Sequence, residues 1–152
     1  MTQAPINPEI SLKETFSRYN KDALEAMAKT LDLPTPITGL KKKQLIEKIS
    51  NNLHNTKVLK KVVKNLRPEE SLALLDLLHK NGIMPRNRFT EKYGDDAHES
   101  IYWKWHPPTS IIGRLKMRGL VIEGKYNEKI WIQVPKELIP QLEEIKEQIE
   151  EN

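Results

Sequence analysis

Between Pro68 and Val134 the chain passes from three helical patterns to two β-rich segments. The first pattern, Ser71 to His79, is so rich in leucine that it predicts a helix buried on much of its surface. Proline and glycine bracket a second short helix between Pro85 and Gly94. A third helix is expected over Ser110 to Arg118, with Thr109 as its N-cap.

The β-rich runs, Leu120 to Glu123 and Ile130 to Val134, predict a hairpin with a long tip over Gly124 to Lys129. Three short helices followed by a two-stranded hairpin is the order of the winged-helix family, which residues 68–134 resemble in length and architecture. In that family the third helix commonly enters the major groove of DNA, and the hairpin tip contacts the backbone or the minor groove. The resemblance implies a winged helix-turn-helix domain here.

The same resemblance implies that the third helix reads DNA. The expected contacts lie on its outward side and flanks and at the hairpin tip, and are Ser110, Arg114, Lys116, Met117, Arg118, Lys125, Tyr126 and Lys129. Arg114 is the expected base contact, because a guanidinium can donate two parallel hydrogen bonds to guanine. An alternative stays open, because many winged helices bind proteins and residues 68–134 carry a net charge of only +1.

Residues 20–55 predict two helices joined by an extended connection. Asn20 is the expected N-cap of a helix over Lys21 to Asp32, in which apolar residues recur at helical spacing. Two prolines stop that helix, and a second one is expected over Lys41 to Leu53. The stretches NKDALEAMAKTLDL and GLKKKQLIEKI resemble the SAP-like and Rho N-terminal helix-extension-helix modules, which usually bind nucleic acid or anchor a protein on it. Residues 1–19 are assigned to an N-terminal segment.

A lysine run opens the second helix of this module. Lys41, Lys42 and Lys43 lie in its first turn, where the helix dipole disfavours cations by about 0.3 to 1 kcal/mol each. Helix stability therefore does not explain them. Together with free backbone N–H groups from Gly39 to Lys42 they predict a phosphate site. The alternative is a solubilising run on a purely structural pair of helices.

The positive charge of the chain is concentrated in residues 56–67, which carry five basic groups and no acidic one. On a helical wheel the apolar residues occupy one side, and the other side carries Lys57, Lys60, Lys61, Lys64 and Arg67. Such a helix can track a DNA backbone, lie on a membrane or connect the modules. Membrane binding is the weakest of these, because the apolar side lacks Trp and Phe. We expect a docked connecting helix that presents its lysines to solvent or phosphate.

Residues 135–152 predict an acidic C-terminal helix with a net charge of −4. Leu138, Leu142, Ile145 and Ile149 keep the spacing of a coiled-coil seam. We expect a homodimer through this seam, because two winged helices would match two DNA half-sites. The alternative is that the stripe folds back on the winged domain of its own chain.

An aromatic cluster from Tyr102 to Trp105 precedes the third helix. Trp103 and Trp105 are expected to close the core while Lys104 points outward, and stacking on unpaired bases is the alternative. The preceding loop carries carboxylates and a histidine, but no second cluster completes a metal site. A solvated loop without a metal is therefore expected over Asp95 to Pro108.

The composition narrows the functional class. The chain has 152 residues, and its net charge of +4 permits an anionic partner without requiring one. It contains no cysteine, which excludes disulfides, thiolate zinc sites and cysteine nucleophiles. It carries no recognisable catalytic motif, export signal or membrane-spanning run, so we expect a soluble protein that is not an enzyme and needs no cofactor.

Together these patterns predict a mainly α-helical protein of two modules that binds duplex DNA and regulates or organises it, in the cytoplasm or on the nucleoid. The runner-up is a protein–protein adaptor that uses the winged helix and the acidic C-terminal helix. A third hypothesis, an RNA-binding factor, rests on the resemblance of the first module to the Rho N-terminal module.

Overall fold

The computed structural model describes residues 11–152. In this range the protein is mainly α-helical with one small antiparallel sheet, which confirms the predicted fold class. The helices are α1 (Leu12–Phe16), α2 (Lys21–Thr30), α3 (Lys42–Leu53), α4 (Thr56–Lys64), α5 (Pro68–His79), α6 (Arg86–Tyr93), α7 (Ile111–Met117), α8 (Ile139–Glu144) and α9 (Lys146–Glu150). The strands are β1 (Ile83–Pro85), β2 (Ile122–Tyr126) and β3 (Lys129–Gln133), and a short 3-10 helix spans Lys136–Leu138. Among the helices of this range, none is both long and apolar enough to cross a membrane.

The N-terminal module contains the two predicted helices and one more. Asn20 caps α2 as predicted, because its side-chain oxygen accepts a hydrogen bond from the Ala23 N–H at 2.8 Å. The connection after α2 buries Leu33, while its prolines stay exposed. The additional helix, α1, buries Leu12 and Phe16 completely and packs against α3. Its five residues are too few to give a periodic signal in the sequence.

The basic helix α4 is docked on the protein by its apolar side, as predicted. Leu59 and Val63 are fully buried, and Val62 is 6% exposed. The helix packs against α3, α8 and α9. The opposite side of the helix, which carries the lysines, faces solvent.

The winged-helix order runs through α5, α6, α7 and the hairpin, and the sheet order is β1-β3-β2. Strand β1 pairs antiparallel with β3, with Met84 opposite Ile132. Sequence analysis misses this strand because three residues do not establish an alternating pattern. The expected long hairpin tip is wrong. The tip is a two-residue turn, in which Asn127 and Glu128 have φ values of 52° and 63°, and such a turn matches the twist of the two strands.

The C-terminal segment folds back on the chain. It is divided into the 3-10 helix, α8 and α9, and Pro140 lies in the first turn of α8, where proline is tolerated. Leu138, Leu142 and Ile149 are fully buried, Ile145 is 4% exposed, and the segment packs on α4 and α5. The predicted coiled-coil seam is wrong, because its apolar stripe is already covered within the protein. The homodimer expected through that stripe has no support in the structure.

The N-terminal module packs against the end of α7. A Cβ atom at Gly119 would meet Leu53 Cδ1 at 2.7 Å and Phe16 Cζ at 3.4 Å. Trp103, in the loop before α7, meets Tyr19 edge to face with ring centroids 5.4 Å apart. The buried apolar residues of both modules therefore form one contiguous core.

Candidate nucleic-acid interface

The side of α7 that was expected to read DNA lies against other parts of the protein. Met117 is 6% exposed and lines a small cleft beside α2. Gly113 is buried under the loop that precedes the helix. Ser110, in place of the predicted Thr109, is the N-cap, and its hydroxyl accepts a hydrogen bond from the Gly113 N–H at 2.9 Å. The expectation of an exposed reading face is therefore wrong.

Arg114 forms an ion pair inside the protein. Its Nε donates a hydrogen bond to the carboxylate of Glu70 in α5. The side chains of Arg114 and Glu70 are 16% and 1% exposed. The other carboxylate oxygen of Glu70 accepts a hydrogen bond from the Arg67 backbone N–H at 3.1 Å. The outward orientation predicted for Arg114 is wrong, because a buried acid holds the guanidinium.

Lys116 is also held by acids. Its Nζ lies 2.7 Å from a carboxylate oxygen of Glu123 and 3.0 Å from one of Asp96. Arg86 contacts the same two carboxylates at 2.8 and 2.7 Å. Burial opposes ionisation of Asp96, but the hydrogen bond from Arg86 and the charge of Lys116 hold the pKa of Asp96 below its ordinary value. Two cations and two anions neutralise one another here, so Lys116 is not a free phosphate contact.

A carboxylate of the protein itself occupies the N-terminus of α7. Glu99 accepts hydrogen bonds from the backbone N–H groups of Thr109 at 2.7 Å and Ser110 at 2.8 Å, and from the Ser110 hydroxyl at 2.6 Å. Burial alone would raise the pKa of Glu99, but these bonds outweigh it and keep the pKa below its ordinary value. The loop that was expected to be merely solvated is therefore fastened to α7, and its anion fills the place where a helix accepts phosphate.

Helix α4 presents a row of exposed lysines, Lys57, Lys60, Lys61 and Lys64. Lys61 lies 3.3 Å from Asp32, but the two side chains are 64% and 80% exposed, so this pair contributes little. The other three lysines form no ion pair within residues 11–152. Their spacing places them on one side of the helix, over about 10 Å of its axis.

The lysines at the start of α3, Lys41, Lys42 and Lys43, are exposed. Lys42 Nζ donates a hydrogen bond to the Ser17 carbonyl at 2.7 Å, which ties α3 to the end of α1. The backbone N–H of Lys41 donates to the side chain of Gln44 at 2.8 Å. The phosphate site predicted here therefore has one fewer free N–H group than the sequence suggests.

The hairpin tip exposes Lys125, Tyr126 and Lys129. Tyr126 is 40% exposed, and Ile130 beside it is 43% exposed. Lys129 and Arg88 of α6 line the same surface groove, which has a volume of about 600 Å³. Sequence analysis does not identify Arg88, since only the packing of α6 against β3 brings it to the hairpin.

The aromatic cluster is divided between core and surface. Trp103 is 4% exposed and closes the core as predicted. Trp105 is 59% exposed and Tyr102 is 56% exposed, so the core position predicted for Trp105 is wrong. Lys104 lies 5.5 Å from the centroid of the Trp105 ring and pairs with two acids of α2 at 3.4 and 3.5 Å. That pairing draws the loop toward α2 and leaves two aromatic rings facing solvent.

Arg118, the last contact predicted on α7, is partly buried. Its Nη1 donates a hydrogen bond to the Arg114 carbonyl at 3.1 Å. Within the described part of the chain it forms no ion pair of its own. It is thus the one cation predicted on α7 that an acid does not hold there.

Comparison of the chain with protein-family models, with curated proteins and with solved structures gives no significant match. The basic surfaces themselves therefore guide the functional assignment. Arg114, Lys116 and Arg86 are neutralised by acids of the protein, whereas the lysines of α4 and of the hairpin tip face solvent.

Proposed function

We propose that this chain is a non-enzymatic DNA-binding protein that holds duplex DNA by its phosphates, in the cytoplasm or on the nucleoid. The observation that carries the proposal is the row of exposed lysines on α4, three of which have no acidic partner in the described range. The apolar side of the helix is buried, so packing against the protein holds the helix that carries these lysines in place. Each phosphate that a lysine neutralises releases condensed counterions, which favours binding.

The hairpin tip supplies a second contact in this proposal. Lys125 and Lys129 are exposed there, and Arg88 lies along the same groove as Lys129. Cations at such a tip contact the DNA backbone, which positions the protein without reading sequence.

Base reading by α7 is not part of the proposal, because Arg114 is paired and Met117 is covered. Phosphate contacts carry little sequence information. A DNA-organising role therefore fits these surfaces better than regulation at a specific operator.

The test is binding to a labelled random-sequence duplex, followed by fluorescence anisotropy between about 50 and 200 mM salt. The variant with Lys57, Lys60 and Lys64 changed to Gln should lower the slope of log K against log salt by about 0.9 for each phosphate that is no longer neutralised. A matched control changes the exposed residues Lys21, Lys29 and Lys136 to Gln, which removes the same charge elsewhere. The proposal would be overturned if the affinity for DNA did not change with salt concentration. It would also be overturned if the two triple variants lost equal affinity.

A protein–protein adaptor is the second candidate, favoured by Leu72. This side chain is 61% exposed on α5 and lines a groove of about 460 Å³ with Tyr93 of α6 and Lys146 of α9. Leu75 lines the same groove, with Asp76 and Lys92 at its edge, and exposed apolar surface rimmed by polar residues marks protein contacts. The adaptor hypothesis predicts no salt-dependent DNA binding by the wild-type protein, so the same titration separates the two candidates.

A further inference from the structure

Arg67, Arg114 and Arg118 come together with the carboxylate of Glu70 where α5 begins and α7 ends. Arg114 and the Arg67 backbone N–H together satisfy the two carboxylate oxygens of Glu70. Arg118 reaches the same place by donating to the Arg114 carbonyl at 3.1 Å. The side chains of Arg67 and Arg118 are left without a carboxylate partner in the described residues. The cluster therefore carries two more positive charges than negative ones.

Arg118 is the residue that this surplus affects most. Burial lowers the pKa of its guanidinium, the charge of Arg114 lowers it further, and Arg67 acts in the same direction against the opposing charge of Glu70. Its single side-chain hydrogen bond uses one of the five N–H donors of the group. Helix α7 has only seven residues, and capping its C-terminal end does not require a half-buried arginine. The position of Arg118 beside Arg67 and Arg114 is therefore not explained by helix capping.

We propose that Arg118 and Arg67, backed by Arg114, form a binding site for a phosphate group. A phosphate carries about two negative charges and three strong acceptor oxygens, which matches the surplus charge and the unused donors of the cluster. The planar guanidinium fork suits phosphate oxygens better than a lysine does.

The phosphate has two possible sources, a small molecule such as a nucleotide or the backbone of a nucleic acid. The site does not rest on DNA binding by α4, because its residues differ from the lysines that carry that proposal. The variant with Lys57, Lys60 and Lys64 changed to Gln should therefore keep its response to phosphate, and this separates failure of one proposal from failure of the other.

The experiment is thermal unfolding of the full chain in sodium phosphate against sodium chloride of equal ionic strength. In chloride, Arg118→Gln should unfold at or slightly above the wild-type temperature, since it removes a repelled charge. Phosphate at 100 times its Kd should raise the wild-type Tm by about 5 to 10 °C. Arg118→Gln should lose this response, and the exposed Arg18→Gln, which removes the same charge outside the cluster, should keep it.

Further variants and ligands make the outcome decisive. If Arg118→Gln does not fold, the exposed Arg67→Gln should still show a weakened response. Repeating the titration with a mononucleotide and with a short duplex identifies the source, since the ligand that binds gives the shift at the lower phosphate concentration. The proposal is overturned if phosphate shifts the wild type no more than chloride does, or shifts the wild type, Arg118→Gln and Arg67→Gln equally.

Discussion

The Nε of Arg114 donates a hydrogen bond to the buried carboxylate of Glu70, and this pair joins α7 to α5 across 44 residues of sequence. In a winged helix that reads DNA, a side chain at this place would face the major groove. Here it neutralises an acid that is 1% exposed. The third helix therefore acts as a structural element between the two modules, and basic charge reaches solvent elsewhere.

Replacing Glu70 with Gln should destabilise the protein by about 3 kcal/mol, because it leaves the mostly buried Arg114 without a counter-charge. Urea unfolding measures the loss. Asp32→Asn is the control, since it breaks the exposed pair with Lys61 and should change stability little. Equal losses of stability in the two variants would show that the buried ion pair contributes no more than the exposed one.

Alanine substitutions at two glycines test the contact between the modules. Gly119 and Gly39 both have positive φ, at 72° and 89°, so alanine strains the backbone at either position. Only at Gly119 would the new methyl group also meet Leu53 and Phe16, because nothing lies within 4 Å of a Cβ at Gly39. Gly119→Ala should therefore lose about 1 to 3 kcal/mol more than Gly39→Ala in urea unfolding. Equal losses would mean that the modules are not held tightly at this point.

The helices could be predicted because their signals are local. Asn20 caps α2 where the sequence places the cap, and the apolar residues of α4 are buried as their spacing predicts. The very short elements, α1 and β1, have too few residues for a pattern. The hairpin turn was missed because Glu128 adopts a positive φ that glutamate seldom takes.

The candidate site was harder to predict than the fold. Sequence identifies which residues are cationic, but the acids that neutralise Arg114 and Lys116 come from other elements. A helical wheel assigned Met117 to an outward face because it has no information about α2, which lies beside that residue. The lysines of α4 were predicted to be exposed because their burial depends only on the side of their own helix, and that expectation is confirmed.

The environment of Asp76 predicts how the stability of the protein changes at acidic pH. Burial alone would raise its pKa, but hydrogen bonds from Lys80, Lys92 and Tyr93 hold the pKa of Asp76 far below its ordinary value. Its contribution to stability is therefore present at neutral pH and is lost as the pH falls below about 4, toward the lowered pKa. Asp76→Asn should be less stable than wild type at pH 7, and the difference should shrink toward pH 2. A deficit that stays constant with pH would contradict this, and Glu91→Gln serves as control, since Glu91 is exposed and forms no ion pair within the described residues.

The buried apolar stripe of the C-terminal segment should stabilise the fold of a single chain and should not join two copies of it. Leu142 is fully buried on α8, which packs against α4, so Leu142→Ala should cost about 2 to 5 kcal/mol. Glu143→Ala on the exposed side should cost less than about 0.5 kcal/mol. Sedimentation should give the same mass for wild type and for Leu142→Ala while both are folded. A wild-type dimer that becomes a monomer in Leu142→Ala would restore the coiled-coil seam.

A substitution at Trp105 distinguishes between duplex DNA and single-stranded RNA as the ligand. The ring is 59% exposed, so Trp105→Ala should leave stability nearly unchanged, whereas the buried Trp103→Ala should cost about 3 to 5 kcal/mol. If DNA is held by its phosphates, Trp105→Ala should bind duplex DNA as the wild type does, because paired bases offer no free face to the ring. If unpaired bases of RNA are the ligand, stacking on Trp105 contributes about 1 to 3 kcal/mol, and the variant should lose that much affinity for a single-stranded RNA in the same anisotropy assay. Such a loss, together with weak competition by duplex DNA, would favour RNA and reject the duplex as the ligand.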